Sequence, residues 1–175
     1  IATVIEAASQ GLEVVRLVSG DPFLDGDIGA EAAAVARADH DVDVIPGVTG
    51  MTAVPEYAGL ILHGHDVQLI GDAACQRDIA GHGPDWSDQG LIVVHTSAGK
   101  LKEVVKHAVA SGRSEDEPAA LICHGATTQQ ITHTVTLGAL PQTAKTARLD
   151  SAEPVHVAIC LLYTSPSPRD GLLSR

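Results

Sequence analysis

Three short glycine-bearing segments hold the residue types that can receive a small ligand. The first is Ser19-Gly20-Asp21-Pro22-Phe23. Gly20 has no Cβ, so a ligand or a second segment can approach its backbone closely. Asp21 supplies a carboxylate able to accept hydrogen bonds from an amine or hydroxyl, and Pro22 fixes the chain direction. The same tripeptide also makes an ordinary turn with an aspartate cap. The second segment, Ile45-Pro46-Gly47-Val48-Thr49-Gly50, leaves backbone open beside a helix start, where Thr49 also suits an N-cap. The third, Gly125-Ala126-Thr127-Thr128, follows an apolar run. Taken together, the three fit a small-molecule site better than any one does alone.

Histidines raise two further possibilities. His63 and His65, with His82, offer three imidazoles, but their spacing matches no recognised zinc pattern and they read as surface histidines. His95 and His124 each end an apolar run and are candidate proton acceptors, although a structural role is the commoner use of such residues. No catalytic residue is assigned.

The elements that must position these segments follow from periodicity. Residues 2–10 carry apolar side chains at helical spacing, with Gly11 where a C-cap glycine belongs. A strand is expected over Glu13–Val18, a helix over Ile28–Ala38, a strand over Asp41–Ile45 and a helix over Met51–Ala58, in which Pro55 is tolerated best near the first turn. Strand and helix in alternation predict a parallel α/β layer. A second unit starts near His63, with strands at Val67–Ile70, Leu91–His95, Ala119–Cys123, Ile131–Val135 and Val155–Ile159. A helix is expected over Leu101–Ala110, ended by Gly112, and residues 72–90, polar and rich in Gly and Asp, read as loop. The division is therefore 1–62 and 63–159. Residues 160–175, with two prolines flanking a serine, resemble a translated adapter and are read as a non-native tail.

Composition narrows the function. Acidic residues outnumber basic ones 22 to 11, a net charge of −11, and no Lys/Arg stripe is present, which disfavours nucleic acid as a partner. No apolar run is long enough for a membrane span. Cys75, Cys123 and Cys160 lack CxxC spacing, so no disulfide framework or metal site is expected and a cytoplasmic setting is the default. The opening on Ile1 reads as a truncated front end.

In order and spacing, Val14–Phe23, Val44–Thr49 and the block Ala53-Val-Pro-Glu-Tyr-Ala-Gly-Leu60 resemble the tetrapyrrole methylases. So do Leu91–His95 and His124–Gln130 leading to Thr136-Leu137. Within that family the resemblance points to the uroporphyrinogen-III C-methyltransferase branch, whose members can be fused to uroporphyrinogen-III synthase. It implies two α/β domains of the tetrapyrrole methylase type, with S-adenosyl-L-methionine in the cleft between them. It also implies a homodimer, a small-molecule tetrapyrrole substrate and C-methylation of uroporphyrinogen III toward precorrin-2.

On that basis Ser19, Gly20, Asp21 and Leu24 match the first cofactor segment, Thr49 and Gly50 the second, Thr96 a position where methionine is common, and Gly125 the last segment. Three departures stand out. Ser19 replaces a glycine, Thr96 replaces the methionine, and Asp25-Gly-Asp-Ile-Gly29 replaces a Gly-Arg-Gly whose arginine would help hold substrate carboxylates. Arg16, Lys100, Lys102 and Lys106 are candidates for that task but read as solvated charges. Two alternatives remain open: a precorrin methylase, or a non-catalytic methylase-like lobe of a synthase fusion.

Overall fold

The computed structural model describes residues 1–26, 28–81, 86 and 90–159. Its contacts divide the chain into two compact units, Ile1–Gly50 and Met51–Arg175. The non-native-tail reading for residues 160–175 and His82, read as a surface histidine, lie outside the described residues.

In the first unit, α1 spans Ala2–Ser9 and α2 spans Ile28–Arg37. Gly11 sits at φ +79°, the left-handed residue that ends α1 as anticipated. The two expected strands differ from expectation. Glu13–Val18 and Asp41–Ile45 join no ladder among the described residues. Leu17 and Ile45 are 82% and 83% exposed. Apolar β-branched residues favour a pleated, half-buried surface rather than an extended backbone as such. With no ladder partner, the preference goes unexpressed.

The second unit carries a five-stranded sheet flanked by helices. Its strands are β1 (Val67–Ile70), β2 (Leu91–Ser97), β3 (Pro118–Cys123), β4 (Ile131–Thr136) and β5 (Pro154–Ile159), in the order β1-β2-β5-β3-β4. Among these, β1 and β2 are parallel, and the other three neighbouring pairs are antiparallel. The sheet is therefore mixed. β5 enters between β2 and β3 and runs against both.

The sheet is buried on both sides, which explains the continuous apolar runs of β2, β3 and β5. One face, with Ile92, Val94, Leu121, Val155 and Val157, packs on the helices α4 (Asp72–Ile79), α5 (Leu101–Ala110) and α6 (Leu140–Thr146). Helix α5 buries Leu101, Val104, Val105 and Ala108, a helical stripe at i, i+3, i+4 and i+7. Gly112 follows at φ +98°. The opposite face, with Leu91, Val93, Ala120, Ile122 and Ala158, packs on Met51 and Val54 of α3 (Gly50–Tyr57).

Two further expectations need correction. Residues 72–79, expected as loop, form α4 (Asp72–Ile79). Gln76 and Arg77 face water, the Gln76 amide donates to Asp72 at 2.7 Å one turn back, Asp78 is buried against the Trp86 indole, and Ala74, Cys75 and Ile79 face the core. Three core-facing side chains in eight residues were too few to register as a period. Pro55 lies in the sixth position of α3 and not its first turn. It is buried there, and that packing offsets the missing backbone donor.

Candidate functional site

In the first unit the two glycine loops are joined by side chains. Gly20 takes φ +72°, a conformation in which a side chain would be strained, and a Cβ there would fall on the Asp25 carboxylate. Gly47 lies against Gly20 so closely that a Cβ on it would meet the Gly20 carbonyl oxygen. The Asp21 carboxylate accepts three backbone N–H groups. Phe23 (3.0 Å) and Leu24 (3.1 Å) donate to Oδ1, and Gly47 (3.2 Å) donates to Oδ2. Chiefly through the Phe23 bond, then those from Gly47 and Leu24, its carboxyl is held below its usual value of 3.8, against a partial desolvation that pushes it up.

Asp25 completes the joint. Its Oδ2 accepts the Asp21 N–H at 2.7 Å, and its Oδ1 accepts the Thr49 hydroxyl at 2.7 Å. Asp25 was legible in the sequence only as the first residue of the Asp25–Gly29 segment that stands in place of Gly-Arg-Gly. Its spacing of four residues from Asp21 was the available clue, because that separation in a turn lets a carboxylate return to the preceding N–H. Neither carboxylate has a cationic partner among the described residues. Arg16, by contrast, is spent on Glu31 at 3.4 Å.

Of the proposed cofactor residues, the structure thus brings together Ser19, Gly20, Asp21 and Leu24 with Thr49. Gly50 follows as the first residue of α3. Ser19 and Leu24 are exposed, whereas Thr49 is buried. The other two lie in the second unit. Gly125 follows β3, and a Cβ there would penetrate Val54 of α3, so only glycine permits that approach. Thr96 is on β2 at 1% exposure. Strand alternation places its side chain with Ile92 and Val94, on the face covered by α4 and α5. Any ligand reaching that position along the α3 face would meet Thr96 backbone.

Thr96 Oγ1 has no well-formed hydrogen bond. The Cys75 thiol beside it is a weak donor. Burial pushes that thiol from 9.0 up to about 11, with Asp72 and Asp78 adding to the rise and the Thr96 hydroxyl and Lys100 opposing it. Cys123, also free and buried, is raised by burial and by Glu153.

The third loop is tightly held. His124 and Ala126 take φ +49° and +57°, uncommon for residues with a Cβ. The Ala126 N–H bonds the Gln130 side chain at 2.7 Å, and the Thr127 hydroxyl bonds the His124 carbonyl at 2.7 Å. His124 Nδ1 stands 3.0 Å from Glu153 Oε1. His95, the other candidate proton acceptor, stacks on His156, which sequence reasoning did not single out. His63 and His65 are exposed in a turn.

Residues 1–141 match the family model described as tetrapyrrole (corrin/porphyrin) methylases. The chain belongs to this family. Its curated relatives include siroheme synthase 1 of Serratia proteamaculans, 35% identical over 153 residues, covering 83% of this chain and 32% of the relative. A siroheme synthase of Pseudomonas aeruginosa is 38% identical over 149 residues, covering 79% and 31% respectively. This methylase chain thus spans about a third of the length of these relatives.

Among solved structures, a uroporphyrin-III C-methyltransferase from Thermus thermophilus aligns with TM-score 0.73 at 23% identity, over 91% of this chain and 69% of that one. A second, complexed with S-adenosylhomocysteine, aligns with TM-score 0.67 at 22% identity, over 90% and 70%. A cobalt precorrin-4 methyltransferase aligns with TM-score 0.72 at 20% identity, over 91% and 68%. At these identities the structures establish the fold. S-adenosylmethionine is the methyl donor of tetrapyrrole methylases.

Proposed function

We propose that this chain is the methylase part of an S-adenosylmethionine-dependent C-methyltransferase acting on uroporphyrinogen III toward precorrin-2. Residues 1–62 and 63–159 would be its two α/β halves. The observation that carries this reading is the Asp21–Asp25 joint between two glycine loops, in a chain whose residues 1–141 match the methylase family.

The joint suits the cofactor chemically. S-adenosylmethionine brings a sulfonium and an ammonium, and the Asp21 and Asp25 carboxylates, without cationic partners among the described residues, offer them favourable charge. Exposed Phe23, Leu24 and Val48 beside the loops offer apolar surface to a nucleoside. After accepting three N–H groups, the Asp21 carboxylate retains one acceptor site for a ligand donor. Ser19, Gly20, Asp21, Leu24, Thr49, Gly50, Thr96 and Gly125 are the residues assigned to the cofactor.

Chemically, the bound cofactor supplies an electrophilic methyl, so the protein's task is alignment of donor and acceptor carbons. The cross-braced backbone of Gly20 and Gly47 is suited to that, because a rigid loop loses little freedom on binding. Calorimetric titration with S-adenosylhomocysteine tests the reading. Micromolar binding, weakened at least tenfold by Asp21→Ala, is expected. A folded protein that does not bind would overturn the assignment.

A further inference from the structure

Three imidazoles and a carboxylate gather at one end of the sheet in the second unit, where β2 and β3 end and β5 begins. His95 on β2 is directly opposed to His156 on β5, and His156 to Ile122 on β3. The two rings stack with centroids 4.6 Å apart and planes 20° from parallel. Strand alternation puts both on the face that carries Val93, Ala158 and Ile122 under α3. One residue past β3, His124 holds a strained backbone conformation and pairs with Glu153, which immediately precedes β5. All three imidazoles remain partly exposed.

An imidazole pair on an otherwise apolar face is unusual, and the substrate chemistry suggests its use. On this face, among the described residues, imidazoles are the groups able to carry positive charge. Arg113 is buried on Trp86, Gly90 and Glu117, and His124 stands 3.0 Å from the Glu153 carboxylate.

We propose that the stacked His95–His156 pair, flanked by His124 and Glu153, is a subsite that binds a carboxylate arm of the tetrapyrrole. This rests on the methylase reading above and adds the recognition element left open by the missing arginine near Asp25. Two imidazolium rings at this separation repel each other, and a carboxylate between or beside them relieves that repulsion. Binding therefore draws protons from solvent. Because the protonated form binds, affinity is greatest at low pH and falls as pH rises through the imidazole range. Among the described residues, the other titratable groups bordering the face are Glu153, His124 and, in the last turn of α3, Glu56 and Tyr57. Carboxylates and phenols ordinarily titrate outside that range, and His124 is separable by substitution.

The test uses uroporphyrin III, the stable oxidised ring bearing the same carboxylate arms, titrated into the chain with saturating S-adenosylhomocysteine. Binding should weaken on the order of tenfold between about pH 6 and about pH 8. His95→Gln and His156→Gln should each bring the low-pH affinity down to the high-pH level and flatten the profile. His124→Gln should leave the pH dependence in place. S-adenosylhomocysteine binding should persist in all three variants, reporting an intact fold. A pH-independent wild-type affinity, or a wild-type profile in both stacked-pair variants, overturns the subsite. So does an absence of porphyrin binding while S-adenosylhomocysteine still binds, which leaves the methylase reading standing. Failure of S-adenosylhomocysteine to bind overturns that reading and the subsite with it.

Discussion

Asp21 and Gly47, 26 residues apart, are joined by a 3.2 Å bond from the glycine N–H to the aspartate carboxylate. The bond turns two separate glycine loops into one braced surface. It also explains why Gly47 must lack a side chain: a Cβ there would meet the Gly20 carbonyl.

Gly47→Ala should therefore abolish S-adenosylhomocysteine binding, because the obstructing atom is backbone and cannot rotate away. Gly71→Ala, where a Cβ meets nothing within 4 Å, should leave both binding and stability close to wild type. Calorimetry and thermal melts check the pair, and equal effects at both positions would refute the close-approach argument.

The Asp21 brace should fail only in acid. Its folded carboxyl lies below the usual 3.8, so its contribution is present above that value and is lost as pH falls through the lower folded one. In an NMR titration, the Gly47 amide should shift below about pH 3.8. A shift centred above that value would contradict the three-donor account.

Gly125 and Val54 form a second exacting contact. Gly125→Ala should displace the loop after β3, costing about 1–3 kcal/mol as overpacking does. Adding Val54→Ala should restore part of that loss, because the obstruction is the valine side chain. Chemical denaturation of the double-mutant cycle measures the coupling. Strict additivity would count against it.

Trp86, fully buried, donates its indole N–H to Asp78 at 3.0 Å, and Arg113 holds the Trp86 carbonyl at 2.8 Å. Asp78→Leu should cost about 1–3 kcal/mol by stranding the indole donor, whereas Asp78→Asn keeps an acceptor and should cost less. Since Trp86 is the single tryptophan, its emission reports the change directly.

Cys75 should make the fold sensitive to alkali. Its folded value near 11 exceeds the reference 9.0, so its stabilising contribution is complete below 9.0 and lost as pH rises toward 11. Cys75→Ala should flatten stability over that window while leaving a cavity cost at neutral pH. Thr96→Val, which removes a buried hydroxyl lacking a well-formed bond, should be neutral or stabilising by up to about 1 kcal/mol.

Much of this molecule was legible residue by residue. Apolar runs and, at Ile131–Val135, apolar–polar alternation located the five strands of the sheet, a helix was anticipated over Leu101–Ala110, and Gly11 and Gly112 marked two helix ends. These follow from local rules, since periodicity and left-handed glycine are properties of neighbouring residues. Ordered motifs likewise identified the family, because they record residue types at fixed spacing.

Only the tertiary structure decided which strands pair, that β5 lies antiparallel between β2 and β3, and that Glu13–Val18 and Asp41–Ile45 join no ladder. It alone turned Asp25 from a departure into a brace for Thr49, directed the Thr96 side chain to the α4 face, and stacked His156 on His95. Each of these depends on residues far apart in the chain. A side chain's type is written in the sequence, but its partner is fixed only when a strand register or a close backbone approach brings the two together.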